Sequence, residues 1–244
     1  MKNVVLLFLL LQTFALPAIA NEPPPPPPID WQNTLSLGGS INTGNSDTTN
    51  LNAKYTSDFK HFNWNYHLSV EGELDTANGQ RTAQNATGIG AIRYFFKPHI
   101  YAFGKGDVTY DEFATYDFVI KAASGLGRVF IDNDKNFLSL ELGPGSTHQR
   151  ISGTQDFQTL FIVTGAGLYK YKISPTASLN LAVSVDYSTT NTHSESISAI
   201  RTKVMEGLAL EVSFTLKNDS TIPANSKNTK KTDTTTKITI VYDF

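Results

Sequence analysis

Between Phe62 and Asp75 the chain alternates with period two. Phe62, Trp64, Tyr66, Leu68, Val70 and Leu74 share one face, and Asn63, Asn65, His67, Ser69, Glu71, Glu73 and Asp75 share the other. Successive side chains of a strand point to opposite sides, so this pattern predicts a strand that separates an apolar medium from water. Leu51, Ala53, Tyr55 and Phe59 alternate with Asn52, Lys54 and Asp58 in the same way. The pattern returns at 138–142, 179–187 and 208–217. A slower period overlies it: polar, turn-rich segments centre near Asn45, Asn78, Ala114, Gly153, Thr192 and Asn225, with short turns near His61, Pro98, Asp134, Ser174 and Glu206. Six loops alternating with five turns predict about twelve strands. The fold class is therefore all-β, an antiparallel up-and-down transmembrane β-barrel. Strands 6 and 10, near 117–131 and 195–204, alternate poorly. Arg128 shares the parity of Phe118, Ile120 and Leu126, which calls for either a bulge that switches register or a charge at the membrane interface.

Aromatic residues gather at the short-turn end, as Phe59-Phe62-Trp64, Tyr94-Phe95-Phe96-Tyr101-Phe103, Phe130-Phe137, Tyr169-Tyr171 and Tyr242-Phe244. They read as one interfacial girdle on the side where outer-membrane barrels keep short periplasmic turns. An even strand count then puts both termini in the periplasm, and the expected location is the Gram-negative outer membrane.

Residues 1–20 have the order of a signal peptide, with Lys2, an apolar run from Val4 to Leu11 and Ala18-Ile19-Ala20 as the cleavage site. Residues 21–30 form a leader whose six consecutive prolines favour an extended spacer, and 31–244 are the expected barrel. The formal net charge of −2 points away from a nucleic-acid partner. With no cysteine, disulfides and thiolate metal sites are excluded. A mean hydropathy of −0.21 is too polar for a helical membrane protein. A barrel, which needs only alternate residues apolar, accommodates it.

The candidate chemistry is sparse. Five G-x-G pairs, at Gly88/Gly90, Gly104/Gly106, Gly125/Gly127, Gly143/Gly145 and Gly165/Gly167, lie inside strand patterns rather than between a strand and a helix. Dinucleotide binding is therefore not expected, and the pairs are read as admitting a bulky neighbour or letting the wall bend. His61, His67, His99, His148 and His193 lack the spacing of a metal pair. No cofactor or metal is expected, and no catalytic residue is assigned. The alternative is an outer-membrane lipid hydrolase using Ser146, His148 and Asp186, although no nucleophile elbow surrounds Ser146. More informative are charges on the inward parity: Lys54, Asp58, Glu71, Glu73, Arg93, Lys105, Asp107, Lys121, Glu141, Asp186, Glu211 and Lys217. They either line a narrow water-filled path or pair across a small lumen and close it. Composition leaves both readings open.

The chain resembles the salt-induced outer-membrane protein family (YdiY-like), whose defining domain has no known function. The resemblance rests on Trp31 and Leu35-Ser36-Leu37-Gly38, Thr43-Gly44-Asn45-Ser46-Asp47, Arg81-Thr82-Ala83, Tyr110-Asp111-Glu112-Phe113, Gly125-Leu126-Gly127 and Leu140-Glu141-Leu142-Gly143-Pro144-Gly145. It ends on the 219–233 loop and Val241-Tyr242-Asp243-Phe244. It covers nearly all of 31–244 and implies an outer-membrane barrel with a link to salt or osmotic stress and no established catalytic residues. Where relatives continue the Leu-Glu-Leu-Gly strand with aromatic and basic residues, this chain has Ser146-Thr147-His148. Tyr242 and Phe244 resemble the C-terminal signal read by the barrel-assembly machinery. The expected partners are that machinery and outer-membrane lipid. The expected function is a non-enzymatic narrow passive channel or structural barrel, with oligomeric state open.

Overall fold

The computed structural model describes residues 30–42, 48–77, 80–112, 114, 116–153, 155–221 and 231–244. The expected signal peptide and the expected leader up to residue 29 lie outside the described residues, as do the expected loop centres at Asn45, Asn78 and Asn225. Twelve strands follow in order: β1 (Asp30–Asn42), β2 (Thr48–His61), β3 (Trp64–Ala77), β4 (Gln80–Lys97), β5 (Ile100–Asp111), β6 (Tyr116–Asp132), β7 (Asn136–Ile151), β8 (Phe157–Lys172), β9 (Ala177–Tyr187), β10 (Thr192–Met205), β11 (Leu208–Asp219) and β12 (Thr232–Asp243). Each pairs with its neighbours in sequence, and β12 returns to β1, so the sheet closes into a barrel. The closing ladder runs from Thr34 opposite Asp243 to Gly38 opposite Thr239. Asn33 and Phe244 extend it by exchanging backbone bonds of 3.1 and 3.0 Å. Closure leaves no free sheet edge there, a requirement for β structure in hydrocarbon.

One end of the barrel carries the five short turns and both described termini. Three of these turns have two residues, and in one of them Phe62 comes first with φ of 52°, the positive value that a type II′ hairpin needs at its first position. The opposite end carries the remaining strand ends, and the described parts of its connections fall near Ala114, Gly153 and Thr192, where polar composition places them.

Outward positions are apolar along most strands. On β3, Tyr66, Leu68, Val70 and Leu74 are exposed on the outside, while Ser69, on the inward parity, is buried. No helix among the described residues is long and apolar enough to cross a membrane. The strands provide the apolar wall instead.

The two irregular strands resolve differently. β6 holds one register from Phe118 to Arg128 against β5, and its ladder with β7 shifts between Val129 and Ile131. Arg128 therefore points outward at the turn end, and the bulge comes just after it. β10 runs in unbroken register from His193 to Lys203 against β11. Its weak alternation arises because Ser194, Ser196 and Ser198 face outward, while Ile197 and Ala199 face in.

The close approach of β6 and β7 sets a further constraint. Their ladder lapses between Ala123 opposite Gly145 and Leu126 opposite Leu142. Pro144, which has no N–H to give, lies in that gap. A Cβ on Gly143 would collide with the Ser124 carbonyl oxygen, and one on Gly125 with that of Leu142. Gly143→Ala is therefore expected to destabilise the barrel by about 1–3 kcal/mol through backbone displacement, measured by urea unfolding in lipid vesicles. Gly88→Ala, where an added Cβ meets nothing within 4 Å, should leave the midpoint unchanged.

Candidate functional site: the barrel interior

Three ion pairs cross the interior, each skipping two strands of the wall. Arg93 on β4 donates from Nε to Glu141 Oε1 on β7 at 2.7 Å. Lys121 on β6 donates to Asp186 Oδ2 on β9 at 2.8 Å. Lys237 on β12 donates to Glu71 Oε1 and Glu73 Oε2 on β3, at 3.3 and 3.1 Å. Residues on strands this far apart meet only through the inside of a closed barrel, so these pairs fix which parity faces in. The strands between them carry glycine at inward positions: Gly125 and Gly127 on β6, Gly145 on β7 and Gly38 on β1. A missing side chain leaves room for a long one reaching past.

Around the chords lie contacts within a strand or between adjacent strands. Lys54 approaches Glu71 at 3.7 Å, Lys105 approaches Asp107 at 3.5 Å, and Lys217 approaches Glu195 at 3.6 Å. His67 Nδ1 lies 2.8 Å from Asp58 Oδ1, and His193 Nδ1 lies 3.0 Å from Asp219 Oδ1. Asn50 and Asn85 donate to Glu73 at 3.1 and 3.3 Å. Glu211 also faces in, opposite Arg201 and Thr239 in register. All twelve inward-parity charges thus sit on the interior side, and eleven of them lie within 4 Å of an oppositely charged or histidine partner. Glu211 is the exception.

At the turn end the interior becomes apolar. Tyr101, Phe103 and Val129 are buried together, with Phe95, Ala123 and Phe137 packed against them. The Phe95 and Tyr101 rings lie 4.7 Å apart. A Cβ on Gly127 would strike the Tyr101 ring, so this glycine admits a bulky neighbour. The Tyr101 hydroxyl donates to Glu141 Oε1 at 3.1 Å, which joins the apolar cluster to the Arg93 chord. This corrects the single aromatic girdle expected at the turn end. Phe95, Tyr101, Phe103 and Phe137 leave it for the interior, while Trp64, Tyr94, Phe96, Phe130, Tyr242 and Phe244 face out. Parity is the physical reason, since Tyr101 and Phe103 precede Lys105 and Asp107 at even spacing on β5.

The Ser146, His148 and Asp186 set does not assemble. Ser146 and His148 lie on the outward parity of β7, where His148 Nδ1 is 2.8 Å from Thr159 Oγ1 and its ring stacks on Phe157. Asp186 lies inside and holds Lys121. Among the described residues no group of three His, Asp or Glu is placed to hold a metal ion. Lys237, a central interior residue that holds Glu71 and Glu73, is not among the charges assigned to the inward parity from the sequence. Its alternation with Ile238 and Ile240 was the available signal.

The G-x-G pairs divide by face. Those on β6 and β7 face in, beneath the chords and rings. Those on β4, β5 and β8 face out and leave shallow grooves in the wall, one of about 540 Å³ over Gly165 and Gly167 and one of about 410 Å³ over Gly90, Gly104 and Gly106. Tyr242 and Phe244 stack on each other at 5.7 Å beside the closing seam.

A family model described as "Protein of unknown function, DUF481" matches residues 35–244. No curated protein matches the chain. Among solved structures, the translocator domain of autotransporter NalP from Neisseria meningitidis is similar at TM-score 0.51 and 10% identity, over 88% of this chain and 88% of that one. The KdgM porin aligns at TM-score 0.49 and 10% identity, over 87% and 99%. At such identity the likeness to the translocator domain shows a shared fold, that of an outer-membrane barrel.

Proposed function

We propose, from the premise that the chain belongs to the DUF481 family, that it is a non-enzymatic barrel of the Gram-negative outer membrane acting as a narrow passive channel for small hydrophilic solutes. Both termini are placed in the periplasm in this reading, as the short turns and the aromatic rim at that end suggest. The observation that carries it is that the charge pairs do not seal the interior: Lys121 and Glu71, both held in chords across it, each keep 30% of their side-chain surface exposed. Mixed charge favours neither anions nor cations strongly. A link to salt or osmotic stress, through kinship with the salt-induced YdiY-like proteins, belongs to the same proposal and rests on the sequence resemblance alone.

A second reading, a closed structural barrel, is favoured by the apolar cluster around Tyr101 at the turn end. Planar bilayers separate the two. The channel reading expects small, reproducible unitary currents from refolded protein; silence at high protein load would favour the closed barrel. Release of fatty acid from phospholipid vesicles by the purified protein would overturn the non-enzymatic reading.

Recognition by the barrel-assembly machinery is proposed for Tyr242 and Phe244. Deleting Phe244 should reduce the amount of heat-modifiable barrel assembled in cells while leaving refolding into detergent intact. Equal loss in both settings would mean that Phe244 serves the closing seam rather than recognition.

A further inference from the structure

The outer wall holds a groove that the channel does not use. On β8 the outward positions Gly165 and Gly167 carry no side chain, while Leu140 and Leu142 on β7 and Val183 and Val185 on β9 rise on either side. In register, Leu140 is opposite Gly167 and Leu142 opposite Gly165. Val183 and Val185 complete the same two rows. The result is an apolar channel along the strand, about 540 Å³ in volume, whose floor is backbone. A second boundary matters more. Arg128 lies at the turn end of this groove, in register with Leu140.

Two arginines occupy outward positions on the long strands of this side, and they differ. Arg150, toward the opposite end, is held by Asp117 at 2.7 Å. Arg128 has no carboxylate within ion-pair distance among the described residues, and its guanidinium lies 5.2 Å from the Phe130 ring centroid. A guanidinium facing hydrocarbon without a partner is costly. It becomes favourable when it meets phosphate, which its planar fork binds in two hydrogen bonds. Arg128 sits at the depth of Phe130, Tyr94 and Phe96, the outward aromatic rim, where headgroups lie.

From this combination we infer that the groove is a specific binding site for one glycerophospholipid of the leaflet on the terminus side. The phosphate seats on Arg128, and one acyl chain lies along Gly165 and Gly167. A neutral lipid would fill the groove and leave the guanidinium unmatched. A second copy of the barrel would need its own anion at the same place. The assignment depends on residence in a bilayer with the termini periplasmic, and does not depend on whether the lumen conducts.

The test is native mass spectrometry of the detergent-purified barrel titrated with phosphatidylglycerol, with diacylglycerol of the same chains, or with lipid A. Wild type is expected to retain one phosphatidylglycerol per barrel and little diacylglycerol. Arg128→Gln should weaken phosphatidylglycerol binding by about tenfold, the size of a charge-assisted contact. Gly165→Leu, which fills the groove where the nearest atom to an added Cβ is 3.9 Å away, should weaken it comparably while heat-modifiable mobility stays normal. The inference is overturned if wild type retains no lipid, or if both variants bind like wild type. It is equally overturned if diacylglycerol or lipid A binds as well as phosphatidylglycerol, or if the groove variants instead abolish a dimer.

Discussion

Tyr101→Ala is expected to destabilise the barrel by about 3 kcal/mol, at the lower end of large aromatic truncations, and to raise unitary conductance severalfold. Tyr101 is the largest fully buried side chain among the described residues, at 2% exposure. Its ring packs against Phe95 and lies over Gly127, and its hydroxyl donates to Glu141. Glycine at 127 cannot fill the space that the ring leaves, so the cavity stays open to the lumen. Tyr101→Phe keeps the ring and loses one hydrogen bond, so about 1 kcal/mol is expected from that exchange. Urea unfolding in lipid vesicles reads the stability, and planar bilayers read the current. Equal currents from Tyr101→Ala and wild type would remove this ring from the constriction.

Glu141→Ala should cost as much or more. Glu141 accepts from both Arg93 and Tyr101, and its side chain is only 10% exposed. Removing it strands the Arg93 guanidinium in the interior, and breaking a buried pair from one side typically costs about 3–5 kcal/mol. The paired replacement Arg93→Met with Glu141→Leu leaves no charge unmatched, so most of that loss should return. An additive double variant, as unstable as the two single losses summed, would mean that the pair is not coupled.

Most of the fold was legible because two periods in the sequence report different things. The two-residue alternation gives the faces of each strand, and the spacing of polar segments gives the strand ends. Every short turn near His61, Pro98, Asp134, Ser174 and Glu206 lies within two residues of a connection between strands. The interior was legible only in part. Parity identified Glu71, Glu73, Arg93 and Glu141 as inward, but partners such as Lys237 with Glu71 lie 166 residues apart. Pairings of that range depend on closure and strand stagger, which local pattern does not encode.

Aromatic residues misled for a related reason. A ring near a strand end suits an interface girdle or an interior plug equally well by composition. Parity separates them: Phe96 shares the face of Tyr94 and points out, whereas Phe95 shares the face of Arg93 and points in. The G-x-G pairs carry the same lesson. Gly125 and Gly127 serve the interior, and Gly165 and Gly167 shape the outer wall, although their sequence signature is identical.

The most direct measurement is thiol accessibility in bilayers, because the native chain has no cysteine and gives no background. Single cysteines would replace Thr87, Thr164 and Ser184 on inward positions, and Leu68, Val70 and Val183 on outward ones. The inward set is expected to react with a small charged thiol reagent and to resist a bulky polymer maleimide, while the outward set resists both. Free reaction of outward positions with the charged reagent would contradict the membrane-facing wall, and rapid labelling of the inward set by the bulky reagent would contradict a narrow lumen.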